Sequence, residues 1–442
     1  MKPSALNSDL LRRLPQGHVR LLRELGSLAD KQHLPLYLVG GVVRDLLLRR
    51  KNWDLDLAVE GDGIAFARIV SRRYQAGLAV FERFATARLQ LSYGPKIDIA
   101  STRGESYSIP AALPDVKPAS LERDLHRRDF TINAMAIQLN RATFGRLHDP
   151  YGGQRDLKAK TLRVLHEESF RDDPTRIFRA VRFMERFGFR LESKTRRLLH
   201  EAAAATNLIS RLSGPRLSNE ILLLFGERHP ARAIDSLVKL KLLRFLHQKL
   251  RYTKKVERLV AVLPQVLVWW KGRNLDSQID RPLLYLMALL SEAGPSVLRS
   301  VSQRLQLSSA QRRAVEQAGR VTDRRAQILS CSEALPPSRV YDLLADLPEE
   351  AVVLIAAKSR ALKGSDGFKR CRRRILRYML RDCHVAIAVR GDDLARLGLK
   401  PGPQYGKILD RLLEARLDGE VITEEDERGL AERLVKRFRA GC

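Results

Sequence analysis

Cysteine is scarce in this chain. The four present, Cys331, Cys371, Cys383 and Cys442, are widely spaced and form no CxxC pair, so neither a zinc site nor a disulfide framework is indicated and a reducing compartment fits. Long apolar runs are missing as well. The N-terminus lacks the apolar core of a signal peptide, and no run of about 18 apolar residues offers a membrane span. The expected location is the cytoplasm, with no membrane partner. Acids are in short supply: 51 Asp and Glu stand against 80 Lys and Arg, giving a formal net charge of +29 and a sequence pI near 10.5. A polyanionic partner, most simply nucleic acid, is the expectation from that excess.

What is there begins with size. The 442 residues, 44% hydrophobic, can bury a sizeable core and leave room for about three domains. Residues 1–35 read as two helical pieces broken at Pro15 to Gly17. Strands are expected near 36–39, 54–59, 79–81, 86–92 and 96–100, with helices near 42–50 and 63–74. Thr102 to Ser120, carrying Pro110, Pro114 and Pro118, reads as a long irregular connection, which inside a domain is usually functional. From about Leu157 the pattern is almost wholly helical, without repeats or low-complexity tracts. The fold class is therefore α+β.

Leu36 to Asp62, LYLVGGVVRDLLLRRKNWDLDLAVEGD, carries the first chemistry. An apolar strand is broken by Gly40 and Gly41, a helix follows, and a second strand alternates Asp54 and Asp56 with Leu55 and Leu57. Side chains two apart on a strand share a face, roughly 6.6 Å apart. Two like charges so placed favour a cation between them, and a hard divalent ion such as Mg²⁺ takes oxygen ligands. The glycines expose backbone N–H groups at a helix start, where a triphosphate can bind, and Arg44 can add a charge-assisted contact. An acidic sheet edge beside an ordinary turn accounts for the same residues.

Three further segments carry polar groups at suggestive spacings. Asp98 in KIDIA is a candidate third carboxylate, to complete a metal site or take a proton from a hydroxyl. In RRDFTINAMA, Arg127 to Ala136, Arg128 can neutralise phosphate and Asn133 can orient a sugar hydroxyl; a capped helix start with locally paired arginines is the alternative. In DDPTRIFRAVRF, Asp172 to Phe183, Asp173 and Arg176 are helix neighbours. An adjacent acceptor and donor match the Watson–Crick edge of cytosine or adenine, and reject uracil and guanine. Arg179 and Arg182 continue the row. Asp173 as N-cap and Pro174 as first helical residue explain the same stretch structurally. Basic clusters at Lys254, Lys255 and Arg258, and at Lys369 to Arg374, suggest an extended RNA surface. Trp269 and Trp270 either stack on bases or fill the core.

In this order GGVVRD, DLDLAVEGD, RRDFTINAMA, HDPYGGQRDL and DDPTRIFRAVRF resemble the class II bacterial tRNA nucleotidyltransferase and poly(A) polymerase family. The motifs cover about the first half of the chain, and Arg390 to Leu409 resembles the family's C-terminal region. The resemblance implies a nucleotidyltransferase head over 1–150, a base-recognising neck over 151–215, a helical body over 216–330 and a tRNA-binding tail over 331–442. It implies addition of nucleotides from ATP or CTP to an RNA 3′ end without a template. Asp54 and Asp56 would bind Mg²⁺ and, with Asp98, form the catalytic set. Gly41, Arg44 and Arg128 would hold the nucleotide, Asp173 and Arg176 would read its base, and Arg179 and Arg182 would support them. Asp172 departs from the Glu of many members, keeping the charge and shortening the reach. EGDGIAFA and the ESYSIPAALPDV loop look more like the A-adding branch than the CCA-adding one. A poly(A) polymerase, or an RNA-binding protein without catalysis, remains an alternative at this point; oligomeric state is not readable.

Overall fold

In the computed structural model residues 8–440 are described, apart from 93, 107–108, 110, 112–113, 206–207, 209, 274–278 and 320. Cys442, Pro110 and part of the ESYSIPAALPDV segment therefore lie outside the described residues. The chain divides into two units, Met1–Phe245 and Leu246–Cys442.

The first unit is built on a mixed sheet. Its strands are β1 (Leu36–Val39), β2 (Leu55–Val59), β3 (Gly77–Phe81), β4 (Thr86–Gln90), β5 (Lys96–Ser101), β8 (Ala136–Gln138) and β9 (Leu147–His148), with β6 and β7 forming a separate hairpin. The order across the sheet is β3-β4-β5-β2-β1-β8-β9, and only β2 and β5 run parallel. Leu55, Leu57, Ala87, Leu89, Ile97 and Ile99 are buried on one face. Against that face packs the helix Gly63–Tyr74, which buries Ile64, Phe66, Ala67 and Val70 and is capped by Asp62 accepting from the Ala65 N–H. The opposite face carries Asp56 and Asp98. Alternation of the strands thus sorts grease to the helix side and charge to the open side.

Thr102 to Ser120 is not wholly irregular. Strands β6 (Arg103–Ser106) and β7 (Asp115–Pro118) pair as an antiparallel hairpin. The prolines misled because a missing N–H disqualifies only the interior of a ladder, whereas Pro114 precedes β7 and Pro118 closes it. A second departure is the parallel pair Thr161–Leu162 and Arg190–Leu191 inside the region read as helical.

Beyond the sheet, the helix Thr175–Phe187 packs against the helices Gly214–Gly226 and Pro230–Lys239. Its Phe178 and Val181 are buried, with Phe178 edge-on to Phe245 at 6.4 Å. The expected boundary at residue 215 falls inside Gly214–Gly226, so that helix belongs to the same unit as the sheet.

Among its described residues the second unit carries helices and no strand. Its centre is the helix Arg281–Leu289, buried from Leu283 onward, beside Glu349–Leu380, buried from Ala351 to Ser359 and kinked at Gly364. A separate cluster of Val389, Leu394, Leu399, Ile408, Leu412, Ala431 and Val435 unites the last three helices. Trp269 and Trp270 are 8% and 3% exposed. Both are core residues, which removes the base-stacking alternative. The 369–374 cluster also splits. Arg370 donates to the Ser330 carbonyl, and Arg374 donates to the carbonyls of Leu329 and Cys331 at 3.0 and 3.1 Å. These two close the C-terminus of the helix Asp323–Ser330, and only Lys369 and Arg373 of the cluster are exposed. Among the described residues no helix is long and apolar enough to cross a membrane.

The helix Gln16–Lys31 approaches the sheet through Gly26, where a Cβ would stand 1.9 Å from the Leu139 carbonyl oxygen. Gly26→Ala should therefore cost about 1–3 kcal/mol, the usual range for overpacking. Gly17→Ala, in the same helix with nothing within 4 Å of its Cβ, should be neutral or slightly stabilising. Urea midpoints of the two variants check this; equal midpoints would remove the close approach as a constraint.

Candidate active site

Asp56 is the second residue of β2. Its partner in parallel register is Asp98 on β5, and Asp98 in turn faces Arg88 on β4. Three strands thus set two carboxylates and a guanidinium side by side on the open face. Asp54, exposed one residue before β2, adds a further negative charge. Burial first, and then the charges of Asp98 and Asp54, push the Asp56 carboxyl above its usual range, with Arg128 opposing them. Such a carboxylate is short of positive charge. Asp98 is not, because Arg88 clamps it with Nε to Oδ1 at 2.7 Å and Nη2 to Oδ2 at 3.0 Å.

The turn before the short helix Gly41–Leu47 runs directly past this group. At Gly40 the backbone has φ +77°, and a Cβ would sit 3.3 Å from Arg128 Nη1 and 3.5 Å from Asp56 Oδ2. Only glycine takes that conformation without strain, and its missing side chain leaves the notch open.

The expected nucleotide-binding arginines are all anchored. Arg44 is buried, donates from Nε and Nη2 to the Asp45 carboxylate at 2.9 and 2.8 Å, and donates from Nη1 to Asn133 Oδ1 at 2.7 Å. Its guanidinium lies 4.7 Å from the Phe187 ring centroid. Arg128 and Arg127 share Asp124, at 2.8 and 2.7 Å, and Arg127 also donates to Glu105 at 2.6 Å. Burial would raise the Asp124 carboxyl, but Arg128 and Arg127 outweigh it and hold it low. Arg128 Nε is buried with no hydrogen-bond partner among the described residues.

The base-reading pair also has partners. Asp173 Oδ1 accepts from the Thr175 N–H at 3.0 Å, the Thr175 hydroxyl at 2.6 Å and Arg216 Nη2 at 2.7 Å. Asp173 therefore accepts at the start of the helix Thr175–Phe187, one residue ahead of the position expected of it because Pro174 is the N-cap, while still lining the cleft. Arg176, 5% exposed, donates to Ser169 Oγ and to the Arg127 carbonyl, both at 2.6 Å. It also meets His166 Nε2 at 3.4 Å, and burial together with Arg176 holds His166 down at about 4. Arg179 donates twice to Asp129 Oδ2, at 2.9 and 2.5 Å.

A cleft of about 390 Å³ collects Gly41, Arg44, Asp56, Arg128, Asp173, Arg176 and Arg179 along one wall or another. Seven residues from motifs scattered over the first 180 positions are thereby brought together. Three expected residues lie outside its lining. Asp54 stands beyond the rim, Asp98 faces an adjoining cavity, and Arg182 is buried 3.5 Å from Glu220. Sequence reading missed Asp45, Asp124, Arg88 and Arg216, which hold the others in place. Asp124 was findable, lying on the helix Leu121–His126 four residues before Arg128, which follows just past its end; Arg216, 43 positions from Asp173, gave no signal.

Paired carboxylates on an open sheet beside an arginine-lined cleft define a head of the nucleotidyltransferase type. Residues 36–163 match the model of the poly A polymerase head domain, and residues 188–252 that of the probable RNA and SrmB-binding site of polymerase A. The chain is 30% identical over 361 residues to the A-adding tRNA nucleotidyltransferase of Deinococcus radiodurans, covering 72% of this chain and 80% of that protein. It is 39% identical over 430 residues to the A-adding tRNA nucleotidyltransferase of Geobacter sulfurreducens, covering 96% of this chain and 48% of that one. The CCA-adding enzyme of Thermotoga maritima, solved in complex with tRNA, superposes with a TM-score of 0.75 at 32% identity over 98% of both chains. The chain belongs to the tRNA nucleotidyltransferase and poly(A) polymerase family. It spans about half the length of the Geobacter relative.

Asp129 offers a pH test of this scaffold. Burial alone would raise its carboxyl, but Arg179 and Asn133 hold it down at about 2 from an ordinary 3.8. A depressed carboxyl contributes stability above its unfolded pKa and loses it as pH falls through the folded one, here about 2 kcal/mol in all. Asp129→Asn should be at least that much less stable at pH 7, with the gap to the native protein narrowing between about pH 4 and pH 2. Urea unfolding across that window decides it: a constant gap would mean the charge pair is not its source.

Proposed function

We propose that the protein is a template-independent nucleotidyltransferase that adds A from ATP to the 3′ end of tRNA ending in CC, releasing pyrophosphate. The observation carrying this is that one cleft is lined by Asp56 and Arg128 and also by Asp173 and Arg176. Phosphate chemistry and base reading thus sit within one nucleotide's reach. The A-adding relatives support the choice of A over C.

A divalent ion fits the residues present. Among the described residues no three His, Cys, Asp or Glu side chains form a complete metal site. Mg²⁺ does not require one, since it commonly takes one or two carboxylates together with substrate phosphates. Asp54 and Asp56 would hold it, two acids at neighbouring positions on the same open face beside Asp98. When bound, the ion would polarise the α-phosphate and the attacking oxygen.

The chain's own groups account for the rest. Arg128 and Arg44 place positive charge against the triphosphate beside the notch at Gly40 and Gly41. Asp173 keeps Oδ2 as an acceptor for the exocyclic amine of adenine, because all three local donors converge on Oδ1. Arg176 supplies the neighbouring donor for the ring nitrogen. The 3′ oxygen of the acceptor then attacks the α-phosphorus in line as the bond to pyrophosphate breaks, and Asp98 is the remaining carboxylate on that face to take the hydroxyl proton.

Labelled ATP, CTP, GTP and UTP offered with tRNAs lacking A, CA or CCA test the reading. One A added to the CC-ending tRNA is expected; long A tails on a generic oligoribonucleotide would instead make it a poly(A) polymerase. Asp54→Ala or Asp56→Ala should lower kcat by roughly 10³-fold or more, the scale of losing a key transition-state charge, while tRNA binding survives. Arg176→Ala should cut the preference for ATP over GTP by about 10- to 100-fold; an unaltered preference would remove it from base reading.

A further inference from the structure

Adjoining the nucleotide cleft, and sharing Asp56, Arg127 and Arg128 with it, lies a second cavity of about 270 Å³, also lined by Asp98, Arg88, Phe81 and Thr86. It opens onto an unpartnered shelf of sheet. Gly77, Ala79 and Phe81 of β3 face Gln90, Arg88 and Thr86 of β4 in register, and the small residues leave the surface low. Phe81 is 48% exposed at the shelf's edge. Arg88 and Asp98 are 56% and 44% exposed, so the guanidinium of this bidentate pair is open to solvent and accessible to an incoming phosphate, which can replace the carboxylate as its bidentate partner.

We propose that this shelf receives the single-stranded 3′ end of the acceptor RNA and that Arg88 is its exchangeable counter-ion. In the free protein Arg88 neutralises Asp98; when the strand lies down, Arg88 transfers to a phosphodiester near its end and uncovers Asp98 beside Asp56. Phe81 stacks on a base of that strand. The occupant follows from two facts. In-line displacement brings the attacking hydroxyl from the side opposite the leaving pyrophosphate, and the two cavities share Asp56 and Arg128 as their common wall. The inference rests on the proposed function, but its main readouts need no turnover.

The test measures binding of tRNA ending in CC to the full chain across a salt series. Arg88→Ala should weaken binding and reduce the slope of log Kd against log salt by about 0.7, the loss of one single-strand phosphate contact. Arg88→Lys should keep the slope. Phe81→Ala should weaken binding by about fivefold or more with the slope unchanged. Mn²⁺ binding to the nucleotide-free protein should tighten in Arg88→Ala, because a competing cation is gone, while KM for ATP stays within about twofold. An unchanged salt slope, or unchanged Mn²⁺ affinity, in Arg88→Ala overturns the proposal. Failure of the native protein to add any nucleotide would overturn the functional reading instead, and leaves these measurements interpretable.

Discussion

Carboxylates gathered on one open sheet face repel one another, and the first unit is organised around that repulsion. Asp56 and Asp98 are brought together by the parallel pairing of β2 with β5, a register fixed by the apolar residues that alternate with them, and Asp54 stands one residue before β2. A one-residue slip would exchange the two faces and bury the acids under the helix Gly63–Tyr74. The hydrophobic core therefore enforces an electrostatic arrangement that the acids alone would abandon. Asp98 is compensated by Arg88, while Asp56 is left with its carboxyl raised. The imbalance is localised at the strand that faces the cleft.

The arginines answer the same constraint from the opposite side. Under the proposed function a triphosphate must meet several positive charges in a small volume, and bare guanidinium groups packed so closely would also repel. Arg44 is tied to Asp45, Arg127 to Glu105 and Asp124, Arg128 to Asp124, and Arg179 to Asp129. Each acid fixes its arginine's geometry and removes the cost of holding it in place before substrate arrives. The large surplus of basic residues is consequently not stored in the cleft. Nor is it stored where the sequence clusters it most densely, since Arg370 and Arg374 close a helix end in the second unit.

How much of this was legible in the sequence follows from the range of each interaction. Five of the seven strands of the sheet, β1 to β5, and the helix Gly63–Tyr74 were readable within a residue or two, because period-two and period-3.6 patterns are local; the short strands β8 and β9 went unread. The hairpin of β6 and β7 was not, because proline content signals a missing donor without saying whether the ladder needs one there. For the site, residue types within a motif pointed to the cleft, and seven of them line it. Their partners were invisible where they came from distant segments: nothing about Arg216 or Glu220 in sequence announces Asp173 or Arg179. Trp269 and Trp270 illustrate the converse, an aromatic pair beside basic residues whose burial no local pattern decides.

Base selection under the proposed function is the last consequence of anchoring. A side chain that replaces a template base must present one hydrogen-bond pattern and no other, so rotation is its main source of error. Asp173 is held by Thr175 and Arg216 through the same oxygen, which leaves one acceptor in one direction. Arg176 is held by Ser169, by the Arg127 carbonyl and by a His166 kept neutral by burial and by Arg176 itself. A neutral imidazole accepts from the guanidinium without competing for its charge. Each reader has a partner outside the helix Thr175–Phe187, Arg216 for Asp173 and Ser169 and Arg127 for Arg176, so the spacing of Asp173 and Arg176 in sequence is necessary for reading a base but is not what makes the reading selective.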